Sequence, residues 1–176
     1  MVDGGKRSGD GIGELVARLD IPADWRFLLV TPAAVVGLSG ADEIAAFGSL
    51  PVMSEATTGR LCQMVLMNLL PALAQGNFDE FASALFEYGR LVGEYFEPIQ
   101  GGVFASEQVS ELAERLSDLG LPLPVQTSWG PTCAIPCRSN DEAQTLAHQI
   151  AALPRMESLQ QQIVAPLNQP ASVRTS

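Results

Sequence analysis

The chain has 176 residues, of which 47% are hydrophobic and 17% charged, a composition that folds rather than stays disordered. Ten Lys plus Arg stand against 20 Asp plus Glu, so a formal charge of −10 repels a nucleic-acid backbone and excludes general nucleic-acid binding. The three cysteines, Cys62, Cys133 and Cys137, have neither zinc-knuckle spacing nor the even count of a disulfide framework, which places the chain in a reducing cytoplasm.

In chain order, residues 1–24 are rich in glycine and mixed charge, with no apolar stretch of the kind a signal peptide needs. Gly9-Asp10-Gly11-Ile12-Gly13 superficially matches a dinucleotide fingerprint but follows no strand and lacks the later glycine spacing. Residues 25–31 form a continuous apolar run ended by Pro32, predicting a strand buried on both faces. Ser39 is placed to cap a short helix over 39–47, with Asp42 and Glu43 in its first turn and Gly48 and Pro51 at its end.

Two long helices are predicted over 55–74 and 78–97, joined by Gln75-Gly76-Asn77 into an αα-hairpin. Asn77 with Glu80 has the form of a capping box, and Pro98 is read as the stop. Residues 61–78 carry no formal charge. Gln63, Asn68, Pro71, Gln75 and Gly76, and the lack of a basic flank, make that stretch a buried core helix and not a membrane span. In the second helix Phe78, Phe81, Leu85, Tyr88, Val92 and Tyr95 or Phe96 recur at three- and four-residue steps and read as a core stripe.

Ser106 caps a further helix over 106–119, striped with Val109, Leu112, Leu116 and Leu119 and closed by Gly120. Short strands follow at 123–127 and 132–137. Cys133 and Cys137 fall on one face of the second strand, too far apart to bridge, and read as core thiols. Ser139 with Glu142 forms a second capping box, opening a helix over 139–153. A last strand covers 161–167, and 168–176 reads as a frayed tail. The sheet is antiparallel or mixed, and helices must bury their stripes against one of its faces, giving an α+β two-layer sandwich of the ferredoxin-like kind.

The most unusual local sequence is Gln126-Thr127-Ser128-Trp129-Gly130-Pro131-Thr132, between the two short strands. It reads equally as a donor-rich loop offered to an anion or an aromatic ring and as a tight hairpin anchored by a packed Trp129. Gln100-Gly101-Gly102 is either a close backbone approach to a ligand or a plain helix stop. Gly37-Leu38-Ser39-Gly40 leads into a helix N-terminus, a generic anion site that usually binds nothing. The cations Lys6, Arg7, Arg26, Arg60, Arg90 and Arg138 are scattered. His148 is the only histidine and reads as an exposed helix residue, so neither a triad nor the usual metal site is expected.

Taken in order, Val2-Asp3-Gly4-Gly5, Trp25-Arg26-Phe27, Gly37-Leu38-Ser39-Gly40 with Glu43 and Phe47, Gln100-Gly101-Gly102 and Thr127-Ser128-Trp129-Gly130-Pro131-Thr132 resemble a known pattern. It is that of the C-terminal half of the β-ribofuranosylaminobenzene 5′-phosphate synthase family, a branch of the GHMP kinase superfamily. The resemblance runs from Val2 to Leu167 and implies a GHMP-kinase-type C-terminal α+β domain over 25–168. Residues 1–24 would then be a glycine-rich remnant of a missing N-terminal domain, which in the family carries the phosphate loop, and 169–176 a disordered tail.

The reaction that the resemblance implies joins phosphoribosyl diphosphate to 4-hydroxybenzoate or 4-aminobenzoate, with loss of diphosphate and carbon dioxide, on the route to methanopterin cofactors. Its implied partners are a phosphorylated small molecule and an aromatic acid, together with a homodimer mate or the missing half; neither nucleic acid nor membrane is implied. On this model Ser128 and Thr132 are catalytic, and Gln126, Thr127, Trp129, Gly130, Gln100, Gly101 and Gly102 bind substrate, with Trp129 stacked on the benzoate ring. Mg²⁺ travels with phosphoribosyl diphosphate, but no carboxylate cluster names its ligands. The alternatives are a non-catalytic ligand-binding or regulatory module that keeps the fold and, more weakly, a small-molecule kinase fragment.

Overall fold

The computed structural model describes residues 2–3 and 13–169. Its centre is a four-stranded sheet in the order β4-β5-β3-β6, antiparallel throughout, built from β3 (Arg26–Pro32), β4 (Val125–Gln126), β5 (Cys133–Cys137) and β6 (Leu159–Val164). A separate two-stranded ribbon pairs β1 (Val2–Asp3) with β2 (Leu15–Ala17), an element that the glycine-rich composition does not predict. The glycine run at 9–12 and the tail at 170–176 lie outside the described residues, as do Lys6 and Arg7.

Alternation along β3 places Leu28 and Val30 on one face, both with no exposure. Cys133, Ile135 and Cys137 of β5 continue that face, and two helices close over it, α5 (Glu107–Asp118) through Val109, Leu112 and Leu116 and α6 (Asn140–Ala151) through Ala143, Leu146 and Ile150. Each large aliphatic side chain so buried stabilises the fold by about 1.5–3 kcal/mol relative to exposure. The cysteines are free thiols inside this core, as the strand spacing predicts, while Cys62 is exposed.

Phe27, of opposite parity, packs instead into a second cluster of Trp25, Ala72, Phe78 and Phe81, with Phe78 edge-on to the indole. This cluster seats the αα-hairpin. Its first arm runs as α2 (Glu55–Met64), a π-helical turn (Val65–Leu69) and α3 (Leu70–Gln75). Pro71 has no N–H to give to an α-helical ladder, and one residue earlier Leu70 N–H reaches back to the Val65 carbonyl. The arm is not the buried core helix expected over 61–78. Leu61, Met64 and Ala72 are buried, but Leu66 and Met67 are 56% and 68% exposed, because only one stripe of the helix faces a partner. Among the described residues no helix is long and apolar enough to cross a membrane.

The second arm is α4 (Phe78–Gln100), capped by Asn77, whose side chain accepts from Glu80 N–H as expected. Pro98 does not stop it. A proline removes a single ladder bond, and the helix runs one further turn until Gly101, at φ 86°, accepts the left-handed conformation that ends it. Ser39 likewise gives way as a cap. Gly40, with φ 61°, precedes α1 (Ala41–Ser49), and its carbonyl takes the first helical bond from Ile44.

The second predicted cap holds, since Ser139 Oγ accepts from Glu142 N–H. Ser106 sits at the α5 N-cap position without a side-chain cap bond. The last strand lies two to three residues earlier than predicted, paired with β3 from Leu159 opposite Pro32 to Val164 opposite Phe27. Nor is Asn168 frayed: its amide accepts from Ile21 N–H and donates to Ile21 O, tying the segment ahead of β3 to the segment after β6.

Candidate functional site

Residues 126–132 form a hairpin tip closed by its own backbone. Thr127 N–H and Oγ1 both donate to the Thr132 carbonyl at 3.0 and 2.9 Å, and Gly130 N–H donates to Thr127 O at 2.7 Å. Ser128 and Gly130 take positive φ, 47° and 63°. That turn leaves Ser128 exposed, and among the described residues its hydroxyl, its N–H and the Trp129 N–H have no hydrogen-bond partner. Successive free N–H groups around a left-handed residue form a concavity suited to an anion.

Of the two hydroxyls expected at the chemistry, only Ser128 is open. Thr132 Oγ1 is half-buried and shares a hydrogen bond of 2.9 Å with Thr31 Oγ1, which ties the hairpin to the end of β3.

Trp129 is 3% exposed. Its ring lies 4.3 Å from that of Phe96 and 5.2 Å from that of Phe47, with Ala46 of α1 and Leu50, just past its end, completing the cluster. The expected stacking of this indole on a substrate ring is therefore corrected: both arms of the loop are needed as strands, and the large apolar side chain at the tip folds back under α1. Among the described residues its Nε1–H is buried without a partner.

The glutamines also work inward. Gln126 Oε1 accepts from Ala105 N–H at 2.7 Å, and its Nε2 donates to Gln100 Oε1 at 2.9 Å and to Ser128 O at 3.1 Å. Gln100 Nε2 donates in turn to the carbonyls of Gly102 and Val103, each at 2.9 Å. The donors of both amides are spent, so Gln100 and Gln126 position the loop instead of presenting an amide to a ligand. Gly101, at φ 86°, is the helix stop; a β-carbon there would meet open space, and one at Gly102 only Phe104 O at 3.5 Å.

Gly37 has a role that its place before a helix does not suggest. A β-carbon there would lie 2.2 Å from Gly130 O and 3.2 Å from Trp129 O, so the segment before α1 rests directly on the hairpin. Phe96, read from spacing as core, backs Trp129 and also lines a cavity of about 250 Å³ beside Ser128, with Leu85, Tyr88, Val92 and Val125. Both contacts join segments far apart in the chain, and neither has a local sequence signal.

Cations add little to this site. Arg90 is bound by Glu87 and Glu94, which holds the Glu87 carboxyl below its ordinary range and drives the guanidinium further into its charged form. Arg138 pairs with Asp79, Arg26 donates to Ala23 O and Arg60 to Gln63. His148 is exposed on α6. Among the described residues no three His, Cys, Asp or Glu side chains gather as a metal site.

Residues 69–155 match the family described as GHMP kinases C terminal, and the antiparallel sheet under two helices is consistent with that fold. The resemblance to the synthase family holds over part of the chain. A β-ribofuranosylphenol 5′-phosphate synthase of Methanothermobacter thermautotrophicus is 22% identical over 122 residues, 66% of this chain and 34% of that protein. The protein of the same name from Archaeoglobus fulgidus is 36% identical over 94 residues, 49% of this chain and 29% of that one. The chain thus spans about a third of the length of these relatives. A homoserine kinase from Cytophaga hutchinsonii shares the fold, with a TM-score of 0.53 and 15% identity over 86% of this chain and 44% of that one.

Proposed function

We propose that this domain supplies the leaving-group side of a phosphoribosyl transfer to an aromatic acid, with phosphoribosyl diphosphate as donor. The carrying observation is Ser128: an open hydroxyl and two free N–H groups, on a tip held rigid from below by Gln100, Gln126 and Gly37. Fixed donors of this kind stabilise negative charge as it develops, without reorganising in the transition state. On a chain of net charge −10, a diphosphate is held by such local donors and not by a general positive field.

Loss of carbon dioxide with no other change to the ring requires the new bond to form at the carbon that bore the carboxylate. That ring carbon bonds to ribosyl C1 as the C1–oxygen bond breaks and diphosphate departs with its electron pair. The carbon–carboxylate pair then returns to the ring, restoring aromaticity and releasing carbon dioxide. Both relatives are named for a ribofuranosylphenol product, which favours 4-hydroxybenzoate over 4-aminobenzoate as acceptor. Such chemistry belongs to the same methanopterin route that the resemblance implies.

The test is release of labelled carbon dioxide from carboxyl-labelled 4-hydroxybenzoate by the full chain, with phosphoribosyl diphosphate and Mg²⁺. Release that falls about 10²-fold in Ser128→Ala is expected from the loss of one preorganised donor. Release equal in the two proteins removes Ser128 from the chemistry. Because the chain spans a third of its relatives, a second reading is a binding module, in which the acid is bound but no carbon dioxide appears.

A further inference from the structure

Resting on that reading, we propose that the acceptor's ring is held in the cavity between α4 and β4, and that Tyr88, Val92 and Phe96 set the ring size it admits. The helix meets the sheet edge here through two glycines. A β-carbon at Gly89 would lie 2.5 Å from Val125 Cγ1, and one at Gly93 would lie 2.3 Å from Val103 O. Close seating at 89 and 93 leaves the larger residues at 85, 88, 92 and 96, one helical face, standing around a recess of about 250 Å³.

An apolar cavity of about 150 Å³ holds benzene, and drug-sized ligands need roughly 300–1,000 Å³. A volume of about 250 Å³ therefore suits one substituted ring. No charged side chain lines it. Gln126 is committed elsewhere, which leaves Tyr88 and Ser128 as polar contacts. A ring enters with its apolar face against Val92 and Phe96 and keeps its carboxyl-bearing carbon at the mouth, beside Ser128. Reaction at the carboxyl-bearing carbon would then occur beside the donors assigned to the departing diphosphate.

The experiment is a methyl NMR titration of the full chain with 4-hydroxybenzoate. Saturable shifts at Leu85, Val92 and Val125 are expected, weakened at least tenfold in Val92→Phe, which fills the recess. The same titration of Leu19→Ala, in the larger groove beside the ribbon, should match the unaltered chain. Shifts confined to Leu15, Leu19 and Leu73, or no saturable shift, overturn the proposal. Turnover with an acceptor KM unchanged in Val92→Phe overturns it while leaving the phosphoribosyl transfer standing; shifts at Val92 and Val125 without turnover keep the ring site and remove the transfer.

Discussion

Gly37 lies so close to Gly130 that a β-carbon on the first would stand 2.2 Å from the carbonyl oxygen of the second. This contact couples the segment entering α1 to the tip that carries Ser128, across 93 residues of chain (130 minus 37). The hairpin side is held in place. The Thr127 carbonyl holds Gly130 through its N–H, and Trp129 is wedged between Phe47 and Phe96.

Replacing Gly37 by Ala should therefore cost about 2 kcal/mol through overpacking, lowering Tm by about 4–8 °C at this chain size. Gly48, inside α1 with open space where a β-carbon would sit, makes the contrast. Gly48→Ala should stabilise by about 0.5–1 kcal/mol, because it only removes conformational freedom from the unfolded chain. Thermal melts of the two proteins check both signs.

Gln100 and Gln126 share one hydrogen bond and together hold five backbone groups, Ala105 N–H and the carbonyls of Gly93, Gly102, Val103 and Ser128. A double-mutant cycle of Gln100→Ala and Gln126→Ala by urea unfolding should give a coupling energy of about 0.5–3 kcal/mol. Additive losses would mean that the two amides do not act as one support.

On the proposed function, Trp129 and Ser128 should separate stability from activity. Trp129→Ala opens a cavity under α1 and should cost about 3–5 kcal/mol. Ser128→Ala removes an exposed hydroxyl without changing the backbone demand at φ 47° and should stay within about 0.5 kcal/mol. Loss of carbon dioxide release in Ser128→Ala at unchanged Tm is the expected pair of readings.

Burial pushes the thiols of Cys133 and Cys137 up to about 12, with Glu142 adding to the second. The folded state then holds protons that the unfolded chain, with thiols near 9, releases. Stability from this source is intact below pH 9 and falls as pH rises from there toward 12. Urea unfolding across pH 8 to 11 should show the decline, weakened in Cys133→Ser. Ellman's reagent at pH 8 should titrate one thiol, Cys62, in the folded chain and three after unfolding.

Much of the fold was legible in one dimension because its causes are local. Stripes at three- and four-residue steps, caps at Asn77 and Ser139, the positive-φ stop at Gly120 and the alternation of Cys133, Ile135 and Cys137 each act within a few residues. They suffice for the order of the main elements from β3 onward, the α+β class and the buried thiols, though not for the ribbon of β1 and β2. The hairpin at 126–132 likewise stood out from its own composition.

Whether those seven residues offer a tryptophan or hide it was not local. The side chain goes where apolar surface is available, and α1 with Phe96 supplies that surface from 33 to 83 residues away (129 minus 96 and 129 minus 46). The same holds for Gln100 meeting Gln126, for Gly37 meeting Gly130 and for the recess that two glycines open against Val125 and Val103. Hydrogen-bond capacity and close packing are satisfied by whichever groups the folded chain brings together, so composition named the residues at this site and tertiary contact assigned what each one does.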